Sequence, residues 1–342
     1  MMSHSDATKL PWCVVVADPA DGLLVSDRDP RLAPVQYHSP DAGAPLLQRA
    51  LNRGTSITTA SRVLLTALEE CRQYWESPAW FVKPANRFVC DHRAALQLAS
   101  AAAILSVAAV SPSEIVVMMP ARCYVAHEWI LKSALQYGLA ELPLTWEGII
   151  MLGMRDIEEN DDEDYLVVSR SNANRRLQVD AFVRRPVPWV ASHLKREGAL
   201  VASGVLIGYA GAFASYISKM WPGLAIQLAA LTSAAALVAT ECDVPVDIAL
   251  GVPSVQSHAL RWQPPSLPLR VLAVSRSGWN GLKSPRAVSR LTDFCGRHNP
   301  IQGSQYRRSS ALRSHSATGR NHRSENCPVV PSTLQPLFPR TA

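Results

Sequence analysis

Between Lys83 and Leu131 the apolar and polar positions fall into blocks that name successive elements. Pro84 opens a turn that Asn86-Arg87 close. Ala94 to Val110 holds small and apolar residues apart from Gln97, as expected of a helix that packs closely on a sheet. Ser111-Pro112-Ser113 breaks it. Ile115 to Met119 is a run of five apolar residues, β-branched at first, the pattern of a strand covered on both faces. Pro120 ends that strand and an amphipathic helix follows. In an open α/β sheet ligands gather at the carboxyl ends of strands. Ala121, Arg122 and Cys123 are therefore where chemistry is expected.

The same reading extends to the rest of the chain. Trp12 to Ala17 is a buried first strand, followed by the turn-rich Asp18-Pro19-Ala20-Asp21-Gly22. Leu46 to Leu51 begins a helix, Ser61 to Tyr74 reads as an amphipathic helix, and Ala79–Lys83 as a short strand. Strands are expected at 148–152 and 269–275, and helices at Val190–Glu197, Ala210–Met220 and Ala225–Thr240. Alternating elements of this kind predict a doubly wound, mostly parallel α/β sheet. It spans residues 12–296, after an N-terminal arm of residues 1–11. The run Glu158 to Asp164 carries six carboxylates in seven residues. A metal cluster or a solvated loop would explain it, and the lack of helical or strand spacing favours the loop.

Composition changes this picture in four places. Apolar residues are 48% and charged ones 18% of the 342, so a large core is expected. Seven cysteines are scattered without metal-site spacing, which points to reduced thiols and a cytoplasmic protein. The net charge of +6 comes wholly from residues 297–342, with seven Arg against Glu325. The remainder balances 27 basic against 27 acidic residues, so no specific nucleic-acid face is expected. That tail, rich in Ser, Arg and Pro, is expected to be disordered. Ala94–Val110, Ala199–Ile217 and Gly223–Thr240 are uncharged, but richer in Ala, Gly and Ser than membrane spans, so buried elements are expected and no membrane.

The order Pro84-Ala85-Asn86-Arg87, small-residue helix, apolar strand, Pro120-Ala121-Arg122-Cys123 resembles the sugar-nucleotide pyrophosphorylases, nearest to the mannose-1-phosphate guanylyltransferases. The resemblance runs from about Trp12 to Val288 and implies a Rossmann-like nucleotidyltransferase (GT-A-like) fold. It also implies a Mg²⁺-dependent synthesis of GDP-mannose from GTP and mannose 1-phosphate. No motif of the family is intact here. The phosphate loop Gly-Gly-x-Gly-Thr-Arg stands as Asp18, Pro19, Ala20, Asp21, Gly22 and Leu23. Pro-Lys-Gln-Phe stands as Pro34-Val35-Gln36-Tyr37, so Val35 replaces a phosphate-binding Lys. The two metal carboxylates fall on Arg122 and on Gly281, the latter within Gly278-Trp279-Asn280-Gly281-Leu282-Lys283, against the family's G-W-x-D-(V/L)-G. The sugar positions, V-x-x-F-x-E-K-P and G-x-x-W-N-S, are occupied by Arg184, Arg185, Val201 and Ala202. Asn86 and Arg87 survive, either as readers of a base or as formers of the local turn.

What the resemblance implies for function follows from these losses. Phosphoryl-type transfer needs Mg²⁺ as a template and cations to stabilise the leaving pyrophosphate. With Arg122, Gly281, Leu23 and Val35 at those positions, a pseudoenzyme without cofactor is expected. Its expected partners are a weakly bound nucleotide or nucleotide sugar, an active guanylyltransferase paralogue, or a second copy. An active guanylyltransferase with an altered site is the alternative.

Overall fold

The computed structural model describes residues 10–18, 34–41, 43–92, 95–142, 148–155, 163–170, 177–238, 241–243 and 269–298. Its first strand, β1 (Trp12–Val16), lies within a run of parallel pairings. On one side stand β2 (Val63–Leu68), β3 (Arg87–Cys90) and, beyond the later strands in chain order, Cys242–Asp243; on the other stands β4 (Ile115–Pro120). Val14 and Val15 are fully buried, as a strand flanked on both edges and both faces requires. After β4 come the short β5 (Tyr124–Val125), β6 (Ile149–Met154), β7 (Tyr165–Arg170), β8 (Leu177–Val183) and β9 (Leu200–Tyr209). Cys242–Asp243 is β10, Leu269–Val274 is β11 and Trp279–Asn280 is β12.

The ten-stranded sheet has the order β10-β3-β2-β1-β4-β9-β6-β11-β8-β7. β9 runs antiparallel between β4 and β6, and β11 is parallel to β6. A bulge around Ser203-Gly204 lets β9 shift register against β6; Gly204 takes the positive φ of 76° that it requires. The sheet is thus doubly wound and mixed, parallel through its first five strands. β5 and β12 form a separate antiparallel ribbon, pairing Val125 with Trp279 and Tyr124 with Asn280.

Helices cover both faces. α1 (Leu46–Ile57) and α4 (Glu128–Ala140) pack together; between them in the chain come the short α2 (Arg72–Trp75) and α3 (Leu96–Val110). α3 has no polar face because it is covered on two sides, by β1–β3 and by the helices α6 (Ala210–Met220) and α7 (Pro222–Val238). Its Ala99, Ala101, Ala102 and Ala103 are fully buried. Small side chains allow that double approach, which explains why helices with no polar stripe are not membrane spans. Among the described residues no helix is long and apolar enough to cross a membrane. α5 (Pro188–Arg196) and α8 (Pro285–His298) complete the set. The described residues up to Cys295 form one compact unit. The six described cysteines form no disulfide and are buried; burial pushes the thiols of Cys13 and Cys90 up to about 12 and that of Cys242 to about 11.

Two expectations are corrected. Residues 61–74 are not one helix: a turn at Ala60–Arg62 leads into β2, followed by a turn and α2. Val63-Leu64-Leu65-Thr66-Ala67-Leu68 is buried throughout, and a strand hidden on both faces has no period-two signature to separate it from a helix. Residues 79–83 are a turn, with Val82 N–H donating to the Ala79 carbonyl; the strand begins at Arg87 instead. The strands expected at 12–17, 115–119, 148–152 and 269–275 are present within two residues at each end. Most of the N-terminal arm, the phosphate-loop positions Asp21, Gly22 and Leu23, and the tail from residue 299 lie outside the described residues.

Candidate functional site

Parallel pairing of β1 with β2 and β4 puts their carboxyl ends on one rim, and the β5–β12 ribbon folds a distant segment over it. Arg122, in the turn after β4, and Gly281, after β12, are 159 residues apart in sequence. The ribbon brings them into contact: Arg122 Nε donates to the Gly281 carbonyl at 3.3 Å. The same guanidinium reaches Asp18 beyond β1, with Nη1 at 3.2 Å from Oδ2. Three of the expected site positions therefore share one place, and the cation at its centre belongs to the chain.

Arg122 is held there from behind. Cys123 beside it is buried, and Arg53 of α1 donates to the Cys123 carbonyl from Nη1 and Nη2 at 3.3 Å each. Arg53 is itself 6% exposed and makes a two-pronged pair with Glu128, at 2.7 Å on both arms. Such forked pairing fixes geometry as well as charge.

The acidic run ends in this site. Glu163 and Asp164, which lead into β7, are buried rather than solvated, a correction to the loop expected there; residues 156–162 lie outside the described residues. Lys283 Nζ lies 2.9 Å from Glu163 Oε2 and 3.1 Å from Asp164 Oδ2. Glu163 is 0% exposed, and among the described residues its oxygens have no aligned hydrogen bond, so Lys283 compensates it by charge. Asp164 is a hub. Its Oδ1 accepts from the Arg185 N–H at 3.2 Å and its carbonyl from the Ala202 N–H at 2.8 Å. Sugar positions and the Gly281 loop are thus joined through a residue that the motif comparison passed over. The signals available were Lys283, where the G-W-x-D-(V/L)-G pattern closes with glycine, and two acids running directly into an apolar strand.

The other expected positions are placed differently. Val35 is buried in a small core with Leu46, Tyr124, Leu282, Leu291 and Cys295. Arg184 and Arg185 are exposed after β8, and Arg185 has a positive φ of 35°. Val201 and Ala202 are buried in β9. Asn86 and Arg87 stand at the amino end of β3, not at the rim that carries Asp18. Asn86 Nδ2 donates to the carbonyls of Ser61 and Val63 at 3.0 and 3.1 Å. Arg87 pairs with Glu241 at 3.0 Å and donates to the Val82 carbonyl. The residues following the carboxyl ends of β2 and β3 are Glu69, Glu70 and Asp91, so this rim is acidic. Burial raises the Asp243 carboxyl above its usual range, and the negative charges of Glu241, Asp91 and Glu69 add to it.

The Mg²⁺ of the resembled family does not fit these residues. A guanidinium occupies one ligand position, and a Cβ built on Gly281 would meet Glu163 Oε1 at 2.5 Å and Trp279 Cη2 at 2.6 Å. Among the described residues no cluster of three metal-ligating side chains exists. A triphosphate would face Asp18, Glu70 and Asp91 without a metal to screen it.

No protein-family model and no curated protein sequence matches the chain. Among solved structures it is similar to a mannose-1-phosphate geranyltransferase from Thermus thermophilus, with TM-score 0.62 and 18% identity over 82% of this chain and 79% of that one. It is also similar to a mannose-6-phosphate isomerase from Helicobacter pylori, with TM-score 0.51 and 13% identity over 78% of this chain and 98% of that one. Identities this low establish architecture and not activity. The chain has the mixed α/β, Rossmann-like fold of the sugar-nucleotide nucleotidyltransferases.

Proposed function

We propose that this protein is a catalytically inactive relative of the mannose-1-phosphate guanylyltransferases, acting as a binding or regulatory partner rather than as a transferase. The observation that carries the reading is Arg122, whose guanidinium bridges Asp18 and the Gly281 carbonyl at the two positions that the resemblance assigns to metal ligands. In-line attack on a nucleoside triphosphate needs charge neutralised at the phosphates and at the departing pyrophosphate. Here Asp18 meets the phosphates with like charge, and the guanidinium beside it is already paired with it. Val35 cannot supply the missing charge from within a hydrophobic core.

Retention of the sheet and its ribbon, with the chemistry removed, suits a protein that binds through its fold. The partners proposed are an active guanylyltransferase paralogue, a second copy of the chain, or a nucleotide sugar held weakly. Calorimetry with GTP and Mg²⁺ is expected to give no binding tighter than millimolar. Exchange of labelled pyrophosphate into GTP from GDP-mannose is expected to stay at background in protein purified free of host enzyme. Mg²⁺-dependent exchange above background would overturn the reading in favour of an active guanylyltransferase with an altered site.

A further inference from the structure

We infer that Lys283 is a built-in cation that locks this rim in one arrangement without any metal, by neutralising Glu163 and Asp164. Glu163 is wholly buried, and an ionised carboxylate cannot be kept from water without a compensating charge. Its cation is Lys283, 10% exposed, which also donates to Asp164 at 3.1 Å. A metal ion would come and go with concentration; an ammonium carried by the chain does not.

The position of Lys283 makes it a latch between separate elements. Glu163 and Asp164 lead into β7, which pairs with β8 and β9 at the far side of the sheet. Lys283 follows β12, which is paired to β5 and so to the turn carrying Arg122. The loop is held in a demanding conformation: Leu282, a buried non-glycine residue, has φ +47°. Its N–H donates to Asn280 Oδ1 at 2.9 Å and its side chain fills the core beside Val35 and Tyr124. A left-handed leucine persists only where its surroundings over-determine it. The ion pair on one side and the apolar anchor on the other do so. This inference rests on the burial of Glu163 and not on the loss of turnover proposed above, so either can fail alone.

The test is thermal denaturation of the full chain and of K283M, E163Q and the K283M/E163Q double variant, with and without millimolar Mg²⁺. K283M strands a buried carboxylate and is expected to lower the melting temperature by about 10 °C. Adding E163Q removes the wholly buried one of the two stranded carboxylates and leaves Asp164, so the double variant is expected to recover at least half of that loss. The wild-type melting temperature is expected not to respond to Mg²⁺. If K283M yields no folded protein, a folded double variant supports the latch, and a double variant that also fails to fold overturns it. Strictly additive losses, an unchanged K283M, or stabilisation of the wild type by Mg²⁺ would each overturn it as well.

Discussion

At the scale of single residues, exposure decides which charges matter. The Arg122–Asp18 pair has side chains 17% and 41% exposed, and such pairs contribute about 0–1 kcal/mol. Its importance is that it fills the rim, not that it stabilises the fold. Lys283 and Glu163, 10% and 0% exposed, belong to the other regime, where removing one partner costs about 3–5 kcal/mol. Gly281 sits against that buried pair. Gly281→Asp would place a second carboxylate onto Glu163 inside the same pocket, with its Cβ 2.5 Å from Oε1 before anything moves. We predict that Gly281→Asp lowers stability by about 3 kcal/mol or more, read by urea denaturation, whereas Arg122→Asp costs about 1 kcal/mol. Installing carboxylates at positions 122 and 281 would therefore fail first at folding, before chemistry is tested. A Gly281→Asp variant as stable as wild type would show that Glu163 has room to leave.

At the scale of elements, the edge strand β10 depends on charge. Glu241, just before it, pairs with Arg72 at a closest approach of 2.5 Å and with Arg87 at 3.0 Å. Burial works to raise the Glu241 carboxyl, but hydrogen bonds from Arg72 and Arg87 outweigh it and hold the pKa below the ordinary value. A depressed carboxyl stabilises the fold above its unfolded pKa of about 4.3, and the contribution is lost as pH falls through the folded value. Wild type is therefore expected to melt above Glu241→Gln at pH 7, and the gap is expected to close below about pH 4. A gap that stays constant from neutral pH into that acid range would rule out the ion pair as its source. The misreadings of the sequence belong to this scale too. β2 looked like a helix because burial on both faces erases alternation, and the strand expected at 79–83 begins only after the Pro84–Asn86 turn, at Arg87.

At the scale of the whole molecule, charge is segregated along the chain. The first 296 residues are balanced and the last 46 carry all of the net +6. Retention on a polyanion column is expected at low salt, to fall steeply as salt rises, and to vanish when residues 299–342 are removed. Unchanged retention after that deletion would locate a basic face on the folded unit instead. The sequence by itself determined the α/β class and four of the five expected strands, because these follow from local apolar runs and short spacings. What the residues at the expected site touch was decided by the tertiary structure alone. Arg122 meets Gly281, and Lys283 meets Glu163, across 159 and 120 positions of chain. Those contacts exist because a two-residue ribbon, β5 with β12, folds one rim onto another. No periodicity encodes so short a pairing, and whether an acid at the end of a charged run is solvated or buried depends on what the fold lays over it.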